Sequence, residues 1–301
     1  ILKHDGIVSV IFVAQTIWIG ERIYGFLKKV FGDVPYVMSV DNFGRYGWGG
    51  VMFISGNNLA ALKQTVETNY ALKDFIAKNS VTYENRTMLT TDDWPYLYIQ
   101  GPSIPRMHIL IIVSILVILF IIKRFLISAE NNRTDMHFFF LGSAFLLLEF
   151  QNVSKAALLF GSTWIVNSYI ISSILLLVLL ANLFIYHFKT VSTRLFYILL
   201  LASLAVLYVI PIEIFNIYGY WTKSILAVIL LNLPIFFAGV IFINSFKNSP
   251  SKHIAFGSNL MGAAVGGLLE TISFISGIRA LLLAVSALYV LSFLYLKGSK
   301  Q

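Results

Sequence analysis

Two groups of residues in this sequence could do chemistry. Asp92 and Asp93 lie side by side in LTTDDWPYLYIQGPSIPR, residues 89–106, and Glu149, Asn152, Lys155, Asn259 and Glu270 lie inside long apolar runs. Neighbouring carboxylates beside a cleft can stabilise a cation or accept a proton. Charged and amide groups within apolar runs are costly in hydrocarbon unless they find partners or water. They therefore mark either pairs between helices or the lining of a polar pocket or conduit. Asn259, Gly262, Gly266 and Glu270 recur at helical spacing and form one stripe. In that stripe Gly262-x-x-x-Gly266 lets a neighbouring backbone approach closely. Glu149 and Lys155 stand about 240° apart on a helix, so they do not face one another. A pairing of Glu149 or Glu270 with Lys155 is expected across packed helices, and Gln151-Asn152-Val153-Ser154 is a candidate helix break.

Composition sets the elements that must position these groups. Of 301 residues, 58% are hydrophobic and 12% charged, with a mean hydropathy of +0.81. Soluble domains carry about 25% charged residues, so the chain reads as a multi-pass integral protein of the cell membrane whose first partner is the lipid bilayer. The net charge of +8 is no nucleic-acid signal, because residues 1–106 are nearly balanced and the excess sits between apolar runs, where topology signals lie. There are no cysteines, which excludes disulfides, thiolate ligands and a cysteine nucleophile. The five histidines show no metal-ligand spacing; His108, His137, His187 and His253 fall near the ends of apolar runs and read as interfacial.

Residues 1–88 read as part of an α/β domain. Ile7–Ala14 suits a buried parallel strand, and a helix is expected over Ile19–Phe31 with Gly32 as its stop. Tyr36–Val40 and Val51–Ser55 are two further strands, separated by the glycine-rich turn Gly44–Gly50. One amphipathic helix should follow from Asn58 to about Lys78. A strand, a helix and two more strands fall short of a complete α/β domain, so the missing part is expected to precede Ile1. Residues 89–106 form a juxtamembrane linker, in which Pro95, Pro102 and Pro105 oppose a continuous helix. There Trp94, Tyr96 and Tyr98 suit the headgroup layer, and the acidic pair could close over a site in the soluble part.

The turn Leu2-Lys3-His4-Asp5-Gly6, the segment from Thr91 to Tyr98, the run from Phe140 to Glu149 and the run from Gly257 to Glu270 together resemble membrane-fused spermidine synthase-like proteins. Their soluble part has the class I S-adenosylmethionine-dependent methyltransferase fold. The resemblance implies the C-terminal portion of a Rossmann-like sheet, in which a turn of this kind leads into the fifth strand and the last two strands form an antiparallel hairpin. It implies S-adenosylmethionine or decarboxylated S-adenosylmethionine as cofactor, a small-molecule amine or lipid as substrate, and an electrostatic role for Asp92 and Asp93. The family's cofactor-binding turn and ribose-binding acid would lie before Ile1. Gly47-Trp48-Gly49-Gly50 sits between strands and does not open a helix, so it is not a phosphate cradle. At most Gln15, Thr16 and Trp18 would face the cleft at the carboxyl end of the first strand. The competing class is a transporter or membrane scaffold with a degenerate or regulatory α/β part.

Residues 107–301 divide into seven apolar runs: Met107–Ile127, His137–Phe160, Trp164–Phe188, Leu195–Ile212, Ser224–Phe246, Ile254–Ile275 and Ala280–Leu296. Each approaches the ~20 residues that a helix needs to cross ~30 Å of hydrocarbon. Pro234 should disturb the fifth run and Pro211 should end the fourth. If all seven cross, Lys123, Arg124, Arg133, Lys189, Arg194, Lys247, Lys252, Lys297 and Lys300 share one face with Glu130 and Asp135. Lys223, Arg279 and Glu213 share the other. The positive-inside rule makes the first face cytoplasmic and puts residues 1–106 outside, whereas the family resemblance implies a cytosolic cofactor. Either the first run, interrupted by Lys123 and Arg124, does not cross fully, or the soluble part is external and without cofactor chemistry.

Overall fold

The structure is a computed structural model. It describes residues 2–4, 6–40, 49–126, 134–161, 163–188, 191–211, 214, 217 and 219–298. Most of the glycine-rich turn, Asp5, Glu130, Arg133, Lys189, Glu213 and Lys300 lie outside the described residues. The chain divides into an α/β unit, Ile1–Thr91 with Pro95–Ser103, and a helical unit, Asp92–Trp94 with Ile104–Gln301.

In the α/β unit, β1 (Ile7–Phe12), β2 (Tyr36–Val40) and β3 (Gly50–Gly56) form a sheet of order β1-β3-β2. β2 and β3 make the expected antiparallel hairpin, Val37 opposite Phe53. β1 is also antiparallel to β3, with Val10 opposite Phe53, so it is not paired as the expected parallel strand, although β1 and β2 point the same way. Nor is it buried: its residues alternate between exposed and half-buried, and Ile7 and Ile11 are 50% and 56% exposed. Side chains alternate across a pleat, so Val37 and Phe53 face one way and Tyr36 and Ile54 the other. The first pair packs with Leu27 and Ile23 of α1 (Ile17–Phe31). α1 ends where Gly32 turns into the left-handed region, φ 76°, and returns its N–H to the Lys28 carbonyl, a conformation glycine adopts without steric cost. Tyr36 and Ile54 are covered by Leu62, Val66, Leu72 and Ile76.

Those last four residues belong to two helices, α2 (Leu59–Thr68) and α3 (Tyr70–Asn79), where one was expected. Asn69 divides them. Its backbone is extended and its side chain accepts the Leu72 N–H at 3.1 Å. Asparagine is a strong N-cap and a weak helix former, and the β-branched Thr65, Val66 and Thr68 before it add little to continuity.

The linker residues assigned to the α/β unit are organised by Arg22 of α1, which is fully buried. Its guanidinium donates to the carbonyls of Met88, Tyr96, Leu97, Ile99 and Gln100 at 2.7–3.1 Å. The planar fork of guanidinium donors suits this fan of acceptors. Burial lowers the pKa of Arg22, and the carbonyl dipoles offset part of that cost.

Five helices of the helical unit are long and apolar enough to cross a membrane among the described residues: Arg106–Arg124, Met136–Phe160, Asn167–His187, Thr222–Lys247 and Lys252–Ser276. Thr193–Val209 and Ala280–Leu296 are shorter apolar helices. In chain order the elements are α4 (Arg106–Ile121), α5 (Met136–Phe160), α6 (Trp164–His187), α7 (Thr193–Val209), α8 (Tyr220–Lys247), α9 (Lys252–Leu269), α10 (Ser273–Ser276) and α11 (Ala280–Gly298). α4 buries none of its residues, and its ladder loosens into a π turn at Ile122–Leu126, where Lys123 and Arg124 interrupt the apolar run. α5 is the centre of the bundle, packed by α9, α11, α6 and α8. It runs unbroken through Gln151–Ser154, so the expected break there is absent. α7 ends before Pro211 as expected, and α8 carries Pro234 inside it.

Candidate functional site

The apolar helices α5 and α9 pack on one another. Gly142 and Ser143 of α5 face Asn259, Gly262 and Gly266 of α9. A Cβ added at Gly262 would overlap the carbonyl of Phe139, one at Gly266 that of Ser143, and one at Gly142 that of Asn259. This is the close approach expected of Gly262-x-x-x-Gly266. The Ser143 hydroxyl donates to the Gly262 carbonyl at 2.7 Å, and the Asn259 amide to that of Phe138 at 3.3 Å.

From Phe139 beside Gly262 to Ser143 beside Gly266 the register advances four residues on each helix. The helices therefore run parallel, and the next step reaches Leu147 and Glu270, with Glu149 within the same turn. Glu149 and Glu270 are half-buried. Their carboxylates make no hydrogen bond or ion pair among the described residues. α9 gives way to a 3-10 turn, Glu270–Ile272, at Glu270 itself.

Lys155 does not meet either acid. Its ammonium reaches the Leu207 carbonyl at 3.4 Å, while the Arg279 guanidinium donates to the Tyr208 carbonyl at 2.7 and 3.0 Å and lies over the Tyr208 ring. Both carbonyls belong to the last turn of α7, where no helical donor remains and the helix dipole favours cations. The expected pairing of Lys155 with Glu149 or Glu270 is thus replaced by two cations capping one helix. Asn152 turns to a third partner, α8, where it donates to the Leu231 carbonyl. Glu149, Asn259 and Glu270 follow the α5–α9 seam, and Asn152 and Lys155 turn to α8 and α7.

Asp92, Asp93 and Trp94 belong to the helical unit. Asp93 accepts the Arg279 N–H on its carboxylate and the Ile278 N–H on its carbonyl, each at 2.7 Å. These amides precede α11, so Asp93 serves as a helix cap supplied from a distant segment. Trp94 is buried, with its indole N–H on the Phe274 carbonyl at 2.8 Å, and is not a half-wet anchor.

Several buried polar groups escaped the sequence reading. His137, in the first turn of α5, is buried among protein atoms. Its Nδ1 lies 2.9 Å from the Ser292 carbonyl, and the Ser292 hydroxyl donates to the His137 carbonyl and meets the Tyr197 hydroxyl, which joins α5, α11 and α7. Gln151 is fully buried, and neither end of its amide has a partner among the described residues. On α8 both Asn232, two residues before Pro234, and Asn244 make polar joins, the latter to the Thr193 hydroxyl at 2.8 Å. In the α/β unit the Thr16 hydroxyl and the Trp18 indole N–H, at the carboxyl end of β1, are enclosed without a partner among the described residues. No group of three or more His, Cys, Asp or Glu suited to a metal occurs among the described residues. Comparison with protein-family models, with curated proteins and with solved structures finds no match to this chain.

Proposed function

We propose that the chain is the membrane-embedded part, with the closing strands of the α/β sheet, of a spermidine synthase-like transferase. It would take S-adenosylmethionine or decarboxylated S-adenosylmethionine as donor and a small-molecule amine or a lipid as acceptor. In that chemistry the acceptor nitrogen or oxygen attacks a carbon beside the sulfonium, the carbon–sulfur bond breaks, and the acceptor loses its proton. The protein's contribution is alignment and an environment that keeps the acceptor unprotonated.

One observation carries this reading. β1 pairs only with β3 among the described residues, and this edge strand keeps Ile7 and Ile11 exposed. An apolar, unpaired edge is a liability in a finished sheet and is what a sheet continued by further strands presents. Thr16 and Trp18 sit at the strand end where open α/β sheets bind ligands. The test is equilibrium binding of labelled S-adenosylmethionine and its decarboxylated form to the protein carrying its whole α/β part. Saturable binding of either supports the reading, and binding of neither sinks it.

Topology bears on the same proposal: seven crossings would put residues 1–106 and the loop at Ser249 on opposite sides, whereas a first run that does not cross would leave both in the cytosol with the cofactor. The chain has no cysteine, so Ser80→Cys and Ser249→Cys can be probed singly in cells with an impermeant thiol reagent. Labelling at position 249 alone places the α/β part in the cytosol, where the cofactor is found. Labelling at position 80 alone places it outside and removes the cofactor chemistry, and equal behaviour at both positions refutes seven crossings.

A second reading, transport, rests on Glu149 and Glu270, two carboxylates within apolar spans that no cation partners among the described residues. Unpaired acids at that depth belong to ion or proton paths in many membrane proteins. In reconstituted vesicles, Glu149→Gln and Glu270→Gln would each abolish uptake of a transported amine. Unchanged uptake rules the acids out.

A further inference from the structure

Pro234 lies inside α8. A proline has no N–H for the carbonyl four residues back, here that of Leu230, and its ring crowds that turn. Lipid supplies no water to replace the donor. On the facing helix, fully buried Asn152 donates its Nδ2 to the Leu231 carbonyl at 2.6 Å and lies 3.3 Å from Asn232 Oδ1. Asn232 donates in turn to the Ser173 hydroxyl of α6 and to the Val228 carbonyl, both at 3.0 Å. Side-chain amides therefore reach the carbonyls of the turn whose ladder Pro234 interrupts. The orientation of the Asn152 amide is fixed, because the flipped form would set its oxygen against the Leu231 oxygen. Its Oδ1 has no partner among the described residues, so packing uses the donor side of the group.

We propose that Asn152 is the positioning residue of a proline hinge in α8. Its amide gives from α5 a donor to the Leu231 carbonyl, next to the Leu230 carbonyl that Pro234 leaves without one, braces the turn at that gap, and ties α5, α6 and α8 at one point through Asn232 and Ser173. The role is conditional: with an ordinary residue at 234 the ladder is whole and the external donor is redundant. Asn152 and Pro234 thus act as a unit, and a substitution at one changes the consequence of a substitution at the other.

The whole chain, free of native cysteine, takes spin labels at Thr222→Cys and Lys247→Cys, exposed positions on either side of the proline. A straight helix would hold them roughly 37 Å apart. Pulsed electron–electron distance measurements in lipid nanodiscs then compare the labelled parent with Asn152→Leu, Pro234→Ala and the double variant. Asn152→Leu should broaden or displace the distance distribution, and adding Pro234→Ala should return it to that of Pro234→Ala alone. An unchanged distribution in Asn152→Leu, or the same change in both backgrounds, overturns the proposal. If Asn152→Leu does not fold, the double variant decides: folding with the distribution of Pro234→Ala supports the hinge, and failure to fold overturns it.

Discussion

Asp93 and Arg279 are 186 residues apart in sequence, yet the carboxylate of the first accepts the backbone N–H of the second at 2.7 Å. The bond ends the unsatisfied state of an amide at the start of α11. Asp93→Ala should destabilise the helical unit by about 1 kcal/mol, the usual worth of a cap, and Asp93→Asn by less, since its amide oxygen still accepts. Thermal unfolding in detergent checks both. A catalytic Asp93 would instead lose transferase activity in Asp93→Asn with little change in stability.

Gly262 and Gly266 meet backbone, which cannot move aside as a flexible side chain can. Gly262→Val and Gly266→Val should each cost about 2–3 kcal/mol or prevent assembly. Gly257, on the same helix, has open space at its Cβ position, so Gly257→Ala should be neutral or slightly stabilising. Equal losses at all three positions would show that the α5–α9 seam is not what the glycines serve.

Gln151 keeps an unpartnered amide in the bundle interior. Gln151→Leu should raise stability by about 1–2 kcal/mol, because a buried polar group without a partner costs about that much. A fall of similar size in chemical denaturation would mean that the amide is satisfied in the membrane.

Arg22→Lys keeps the charge but loses the fork that serves five carbonyls. The linker at residues 96–100 should become sensitive to limited proteolysis, and the α/β unit should lose roughly 3 kcal/mol, since each hydrogen bond to a charged group is worth about 1.5–3 kcal/mol. Protection equal to wild type would show that another contact closes the linker.

Asp33 and Lys63 form an exposed ion pair at 2.6 Å. The hydrogen bond from Lys63, followed by the Val34 N–H, holds the Asp33 carboxyl below its ordinary value, and Asp33 raises Lys63. A depressed carboxylate stabilises the fold above its unfolded pKa and loses that contribution as pH falls through the folded value. The stability difference between wild type and Asp33→Asn should therefore be present at neutral pH, vanish in acid, and shrink with salt because both groups are solvated. Melts from neutral to acid pH at two salt concentrations measure it.

The apolar runs and the glycine stripe were legible because each depends on local pattern: length and hydropathy mark a span, and Gly262-x-x-x-Gly266 marks a close approach. The division at Asn69 was also written locally, as a capping residue inside a weak helical stretch. The pairing of β1 was not, since an apolar run of strand formers has the same sequence whether its neighbour is parallel or antiparallel. Nor could spacing foresee the partners of Lys155, Asn152 and Asp93. Each is used by a helix end or a proline gap far along the chain, where the deciding group is a backbone carbonyl or amide that every residue possesses. Arg22 was hidden for the same reason, because its five acceptors are all main-chain.

The glycine seam has a mechanical consequence. Where main chain rests on main chain there is no intervening layer to compress or slide, so α5 and α9 move as a single stiff strut. The acids near its far end then keep a constant separation, whatever shifts occur among the outer helices.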